Sequence, residues 1–99
     1  MSENSEGPSD DVGPVLEASN AGRAVLEAIR AENVHVKVVD RGAYLRVSVP
    51  RRCVVSRAGI ERELGRAFRL PGDLEPLMPS FKGLLAVTSD RVEWSFERA

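Results

Sequence analysis

The sequence predicts an α+β domain: a small, mostly antiparallel sheet or pair of sheets, with two main helices packed on one side, in the order β-α-β-β-β-α-β-β. Three observations predict it. The stretch Val34 to Val49, VHVKVVDRGAYLRVSV, alternates apolar and polar residues on either side of a glycine-containing turn, the pattern of an antiparallel hairpin. Segments before and after it, residues 21 to 32 and 57 to 64, carry apolar residues at helical spacing. Near the C-terminus Val92, Trp94 and Phe96 alternate with Arg91, Glu93, Ser95 and Glu97, a strand with one apolar face.

Taken in order, residues 1 to 11 are Ser, Glu, Asp, Gly and Asn with one Pro, and read as a flexible tail; residues 12 to 99 read as one domain. Val12-Gly13-Pro14-Val15-Leu16 is short, apolar and proline-interrupted, which predicts an edge strand. Ser19 and Asn20 offer N-cap oxygens to a helix whose core positions are Ala21, Ala24, Val25, Ala28 and Ile29. Arg30 suits the negative end of the helix dipole, and Asn33 is placed for a left-handed exit. In the hairpin, Val34, Val36, Val38, Leu45, Val47 and Val49 are expected inward, with Asp40 and Gly42 forming the turn and Pro50 ending it. Cys53-Val54-Val55 adds a short strand, and Ser56 caps a second helix that Gly65 terminates. Phe68 and Leu70 fold back over that helix end, and Asp73 is placed to cap a single turn between Pro71 and Pro76. Residues 83 to 88 and 91 to 97 form the last hairpin around Ser89-Asp90.

Composition narrows the function. No apolar run approaches membrane length, and the acidic N-terminus is the reverse of a signal or transit peptide, so a cytoplasmic chain is expected. The one cysteine, Cys53, excludes an internal disulfide and fits a reducing compartment. A net charge of −1 conceals segregation: residues 41 to 69 hold eight arginines against Glu61 and Glu63. Neutralisation in space by the acidic helix and tail is the simpler reading of that segregation, ahead of a binding face. With few lysines, an acidic pI and no paired aromatics for base stacking, nucleic acid ranks low as a partner.

Catalytic readings fare no better. His35 is the only imidazole and stands alone in an alternating strand; Cys53 reads as a small buried hydrophobe before it reads as a nucleophile. Glu61 and Glu63 sit two apart on a helix and diverge, and no glycine pattern cradles a phosphate. No catalytic, cofactor-binding or metal-binding residue is therefore assigned. The segment least like ordinary core or loop is Leu77-Met78-Pro79-Ser80-Phe81-Lys82-Gly83, apolar and stiffened by proline. It reads either as a contact surface or as a linker whose Phe81 plugs the core.

Four stretches together carry a family resemblance: VGPVL-x-ASNAGRAVLEAI (12 to 29), VVDRGAYLRV (38 to 47), LGRAF (64 to 68) and PSFKG (79 to 83). In this order and spacing they resemble the effector, or coupling, proteins of soluble diiron multicomponent monooxygenases, and the short tail is similar to the toluene, phenol and alkene branches. The chain departs where the family often has proline, with Val34 after the helix-ending Asn and Ala67 in LGRAF. It departs again where the family has a polar run: of Leu77, Pro79, Ser80 and Phe81, only Ser80 keeps that character.

The resemblance implies a cofactor-free, non-catalytic protein, monomeric when free, whose partner is the hydroxylase. It would dock over the helices that carry the partner's diiron site, tune substrate and oxygen access, and couple electron delivery to hydroxylation or epoxidation. On that reading the partner-binding residues are Leu77, Met78, Pro79, Ser80, Phe81 and Lys82, the helix start Ser19, Asn20 and Arg23, and Arg66 and Arg69. The tail before Val12 joins them. A standalone interaction or small-ligand-binding domain is the alternative, and an enzyme relying on Cys53 comes last.

Overall fold

The computed structural model describes residues 9–96. Among them are seven strands and two helices, in an α+β arrangement: β1 (Asp11–Glu17), α1 (Asn20–Glu32), β2 (Lys37–Asp40), β3 (Tyr44–Pro50), β4 (Arg52–Ser56), α2 (Arg57–Leu64), β5 (Ser80–Lys82), β6 (Leu84–Val87) and β7 (Arg91–Ser95). A short 3-10 turn, Glu75–Leu77, precedes β5. The strands form two antiparallel sheets, one ordered β2-β3-β1-β5 and the other β4-β7-β6. Most of the expected tail, residues 1–8, lies outside the described residues, as does Glu97. Asp11 already belongs to β1, opposite Pro50.

The central hairpin follows its sequence. Gly42 takes φ +84°, and its N–H donates to Asp40 Oδ1 at 2.8 Å, closing the turn between β2 and β3. Leu45, Val47 and Val49 are buried while Tyr44 and Arg46 face out. Val34 departs from the expected alternation and is 73% exposed. The cause is His35, whose φ of +59° breaks the extended path before Lys37, so that only Val36 and Val38 of that run pack against the core.

Helix α1 starts where predicted, with Ser19 Oγ accepting from the Gly22 N–H at 3.1 Å. Gly22 itself is a packing requirement, because a Cβ there would overlap the Glu17 carbonyl at the end of β1. The helix ends differently from expectation. Asn33 is extended, at φ −135°, and its side chain makes the cap: Nδ2 donates to the Ile29 carbonyl at 2.8 Å. The same Nδ2 donates to the Val54 carbonyl (2.7 Å) while Oδ1 accepts the Val54 N–H (3.0 Å). One side-chain amide thus imitates a neighbouring strand along the open side of β4.

Strand β1 is interior and not an edge strand. The cause is β5, three residues long, which pairs with Gly13, Pro14 and Val15. Partners across to β3 are recorded at Asp11, Val12, Val15, Leu16 and Glu17, so the β3 ladder is interrupted at Gly13-Pro14, where proline has no N–H to give. The adjacent Phe96 also differs: it does not join Val92 and Trp94 inward, but lies under the Arg51 guanidinium, 5.6 Å from the ring centroid. Asp73 is no N-cap of the 3-10 turn; its carboxylate accepts from the Arg69 N–H at 2.8 Å and ties the preceding loop.

One core unites the pieces. Val12 and Leu16 of β1, Leu45, Val47 and Val49 of β3, Cys53 and Val55 of β4, Val92 and Trp94 of β7, and Val25 and Ile29 of α1 are all buried in it, with Ile60, Phe68, Leu70 and Leu74 closing one end. Among the described residues no helix lies over the opposite face of the four-stranded sheet.

Candidate functional site

The expected contact residues fall into two places. Helix α2 ends at Gly65, in the left-handed conformation at φ +81°, whose N–H donates to the Glu61 carbonyl at 2.8 Å. The chain then doubles back: Glu61 Oε2 accepts from the Phe68 N–H (2.9 Å) and from Arg57 Nη1 (3.1 Å). Those bonds, the Phe68 N–H first, hold the Glu61 carboxyl below its ordinary range. With Phe68 turned into the core, Arg66 is turned out. It meets the first turn of α1 in a concavity of about 340 Å³ that Asn20, Arg23, Glu27, Glu63 and Leu64 also line. Leu64 and Arg66 line a second concavity as well, of about 350 Å³, with Ala21, Phe68, Asp73 and Leu77. The two adjoin as a groove running from α1 to the 3-10 turn.

Ser19 lines neither concavity; it precedes Asn20, half-buried with its hydroxyl engaged as the cap. Leu77 and Met78 are half-buried against the core, so their truncation acts on packing as well as on surface. Pro79, Ser80, Phe81 and Lys82 are exposed; the last three form the edge strand β5 of the four-stranded sheet, and none of the four lines the groove. Phe81 is opposite Pro14 and 43% exposed, so it does not plug the core. Arg69 joins neither group; its side chain is exposed and its backbone N–H is bound to Asp73.

A third concavity, of about 430 Å³, lies where α1 meets the β3–β4 corner and was not anticipated. Asn33, Val34, His35, Pro50, Arg52 and Val54 line it, and two non-glycine residues at positive φ, His35 (+59°) and Arg51 (+68°), flank it. Those two dihedrals were its only available signal, and side-chain patterning does not report them. Two of its polar groups are already committed: the Asn33 amide to Ile29 and Val54, and Arg52 to Glu93 at 3.1 Å.

Reactive chemistry is not assembled. Cys53 is fully buried, and burial pushes its thiol up to about 12, so it stays a neutral thiol at physiological pH. Among the described residues no group of three or more His, Cys, Asp or Glu converges as metal ligands. Among the same residues no helix is long and apolar enough to cross a membrane.

The arginine-rich middle is partly neutralised. Arg51 pairs with Asp10 (3.2 Å), Arg52 with Glu93, and Arg57 with both Glu61 and Asp90 (3.4 Å). Arg52 first, then Arg91, keep the Glu93 carboxyl below its ordinary range. Each pair has an exposed arginine side chain and remains in contact with solvent, so it contributes little to stability. Among the described residues Arg23, Arg41, Arg46, Arg62, Arg66 and Arg69 make no ion pair.

Residues 10–95 match the model of the MmoB/DmpM family. The chain is 39% identical over 88 residues to the effector subunit of an alkene monooxygenase system from Xanthobacter autotrophicus, covering 87% of this chain and 86% of that one. Its fold is similar to a chain in the structure of a phenol hydroxylase–regulatory protein complex, with a TM-score of 0.77, 20% identity, and coverage of 88% and 98% of the two chains. It is also similar to the soluble methane monooxygenase regulatory protein B, with a TM-score of 0.70, 24% identity, and coverage of 96% and 71%.

Proposed function

The chain belongs to the MmoB/DmpM family, and on that premise we propose that it is the non-catalytic, cofactor-free effector subunit of a bacterial diiron multicomponent monooxygenase. It binds the hydroxylase, tunes access of substrate and oxygen, and couples electron transfer to hydroxylation or epoxidation. The observation that carries this reading is the 39% identity, over nearly the whole of both chains, to an alkene monooxygenase effector subunit. The chain works in the cytoplasm, where a lone buried thiol such as Cys53 stays reduced.

A protein with no reactive group changes a partner's chemistry only by binding one of its conformations better than another. Each tenfold preference needs about 1.4 kcal/mol of differential contact. Inverting a population from 1:99 to 99:1 needs roughly 5.5 kcal/mol. Two exposed regions supply such contacts: the groove beside Asn20, Arg23, Arg66 and Leu77, and the edge strand of Ser80, Phe81 and Lys82. Ser19 caps the helix that carries Asn20 and Arg23, Met78 and Pro79 connect the two regions, and Arg69 offers a separate exposed charge.

The test is reconstitution. Adding the purified chain to a diiron hydroxylase with its electron donors should raise product formed per NADH consumed. A ratio unchanged at saturating chain removes the effector reading.

A further inference from the structure

The open face of the four-stranded sheet carries a charge pattern that the fold itself leaves unanswered. Opposed residues in antiparallel strands share a face, so two rows cross this sheet. One runs Val39, Arg46, Val15, Ser80; the other joins Lys37 to Ser48 and Gly13 to Lys82. The core lies behind the sheet, under Val12, Leu16, Leu45, Val47 and Val49. Nothing among the described residues covers the front.

Gly13 shapes that front. Its φ is +145°, and a Cβ built there would overlap the Val47 carbonyl, so no side chain can stand at its position in the row. What remains is a depression of about 100 Å³, lined by Arg46, Ser48, Ser80 and Lys82 among others. The charges around it are unequal. Lys37 is met by Asp11 at 2.7 Å, and that contact raises the Lys37 pKa. Asp11 also lines the depression but is committed to Lys37. Arg46 has no anionic partner among the described residues, and Lys82 Nζ reaches only the Ser9 carbonyl, at 3.5 Å.

We propose that this depression receives a carboxylate side chain of the hydroxylase, held between Arg46 and Lys82 with the Ser48 and Ser80 hydroxyls donating to it. The proposal rests on the effector reading and extends the docking surface from the edge strand across the sheet. Charge selects an anion, and about 100 Å³ suits a carboxylate. The rim selects a protein as its carrier. Val39 and Tyr44 are each 45% exposed on this same face, an apolar margin that a free anion would not use and a partner side chain would cover.

The experiment compares hydroxylase affinity, by calorimetric titration, for the unaltered chain, Arg46→Gln, Lys82→Gln and the double variant. Arg62→Gln serves as a charge-matched control, since Arg62 is exposed on α2 and unpaired among the described residues. Each single variant should weaken binding by roughly tenfold or more, as expected for a charge-assisted hydrogen bond. The double variant should lose less than the product of the two, because both cations hold one carboxylate. Thermal midpoints should not move, since both residues are exposed. Full affinity in the double variant, an equal loss in Arg62→Gln, or displacement of the hydroxylase by millimolar sodium acetate would each overturn the assignment. If the unaltered chain binds no diiron hydroxylase, the effector reading fails and the assignment falls with it.

Discussion

Replacing Asn33 by Asp changes one side-chain heavy atom and sets an acceptor against two carbonyl acceptors in place of two hydrogen bonds. In the native protein Nδ2 donates to the carbonyls of Ile29 and Val54 (2.8 and 2.7 Å), and Oδ1 accepts from the Val54 N–H at 3.0 Å. The amide cannot be turned over, because the flipped form would set oxygen against two carbonyls and nitrogen against an N–H. Asn33→Ala removes all three bonds, and at about 1 kcal/mol each in this half-buried setting the loss is about 2–3 kcal/mol. For a domain of this size that lowers Tm by roughly 10–20 °C. Asn33→Asp at pH 7 should be worse than Ala by about 1 kcal/mol, since a carboxylate faces two carbonyl oxygens at the negative end of α1.

The Asp variant also has a pH signature that Ala lacks. Its folded-state pKa must rise above the usual value of about 3.9, because only the protonated acid can donate. Below that value both states are protonated and the deficit is smallest. As pH climbs past it, the unfolded chain releases its proton first, so relative stability falls until the folded carboxyl titrates. Urea unfolding of wild type, Asn33→Ala and Asn33→Asp between pH 3.5 and 8 resolves this. A deficit for Asp that is flat with pH, or a deficit for Ala below about 0.5 kcal/mol, would refute the role given to the amide.

Three further outcomes are expected. Gly22→Ala, normally a gain of about 1 kcal/mol within a helix, should instead destabilise by roughly 1–3 kcal/mol in a melt, because the new methyl meets the Glu17 carbonyl. Cys53 ionises in the unfolded chain near 9.0 but in the folded chain only near 12, so stability should fall as pH rises through that window, by up to about 1.4 kcal/mol per unit; denaturant titrations of wild type should show a slope there that Cys53→Ala lacks. Phe81→Ala, at an exposed edge position, should reduce stimulation of the hydroxylase without moving Tm, whereas Met78→Ala, half-buried, should move both; full stimulation by both would remove them from the docking surface.

What was legible in the sequence was local. The hairpin turn needed only Asp40 and Gly42, and the helix starts needed only Ser19 and Ser56, whose hydroxyls accept from the N–H groups three residues on. Strand order was not legible. Pro14 argued for an edge, and the strand that makes β1 interior is Ser80–Lys82, three residues with no alternation to read. Val34 misled for a different reason: its place in the alternation was correct, but a backbone reversal at His35 cancels it. The contact segment stood out by composition, yet composition could not divide it into half-buried Leu77 and Met78 and exposed Pro79 to Lys82. Arg46 and Gly13 stayed hidden because each is ordinary alone. Only the Val47 carbonyl behind Gly13, and the absence among the described residues of an acid paired with Arg46, give them meaning.

Stiffness is what lets such a surface regulate. A soft face would adapt to each conformation of its partner, bind them alike, and shift nothing, however tightly it held. Here the edge strand Ser80–Lys82 is laddered to β1, which is itself held by β3 and by buried Val12 and Leu16. Arg66 is fixed by the left-handed Gly65 and by the Glu61–Phe68 bond, and α1 is locked to β4 through Asn33 and through Glu32, which accepts from the Ser56 N–H and hydroxyl. Each proposed contact region is therefore one step from the core, and little ordering entropy remains to be lost on docking. That arrangement turns a difference in the partner's shape into a difference in binding free energy. A chain without chemistry has no other means of control.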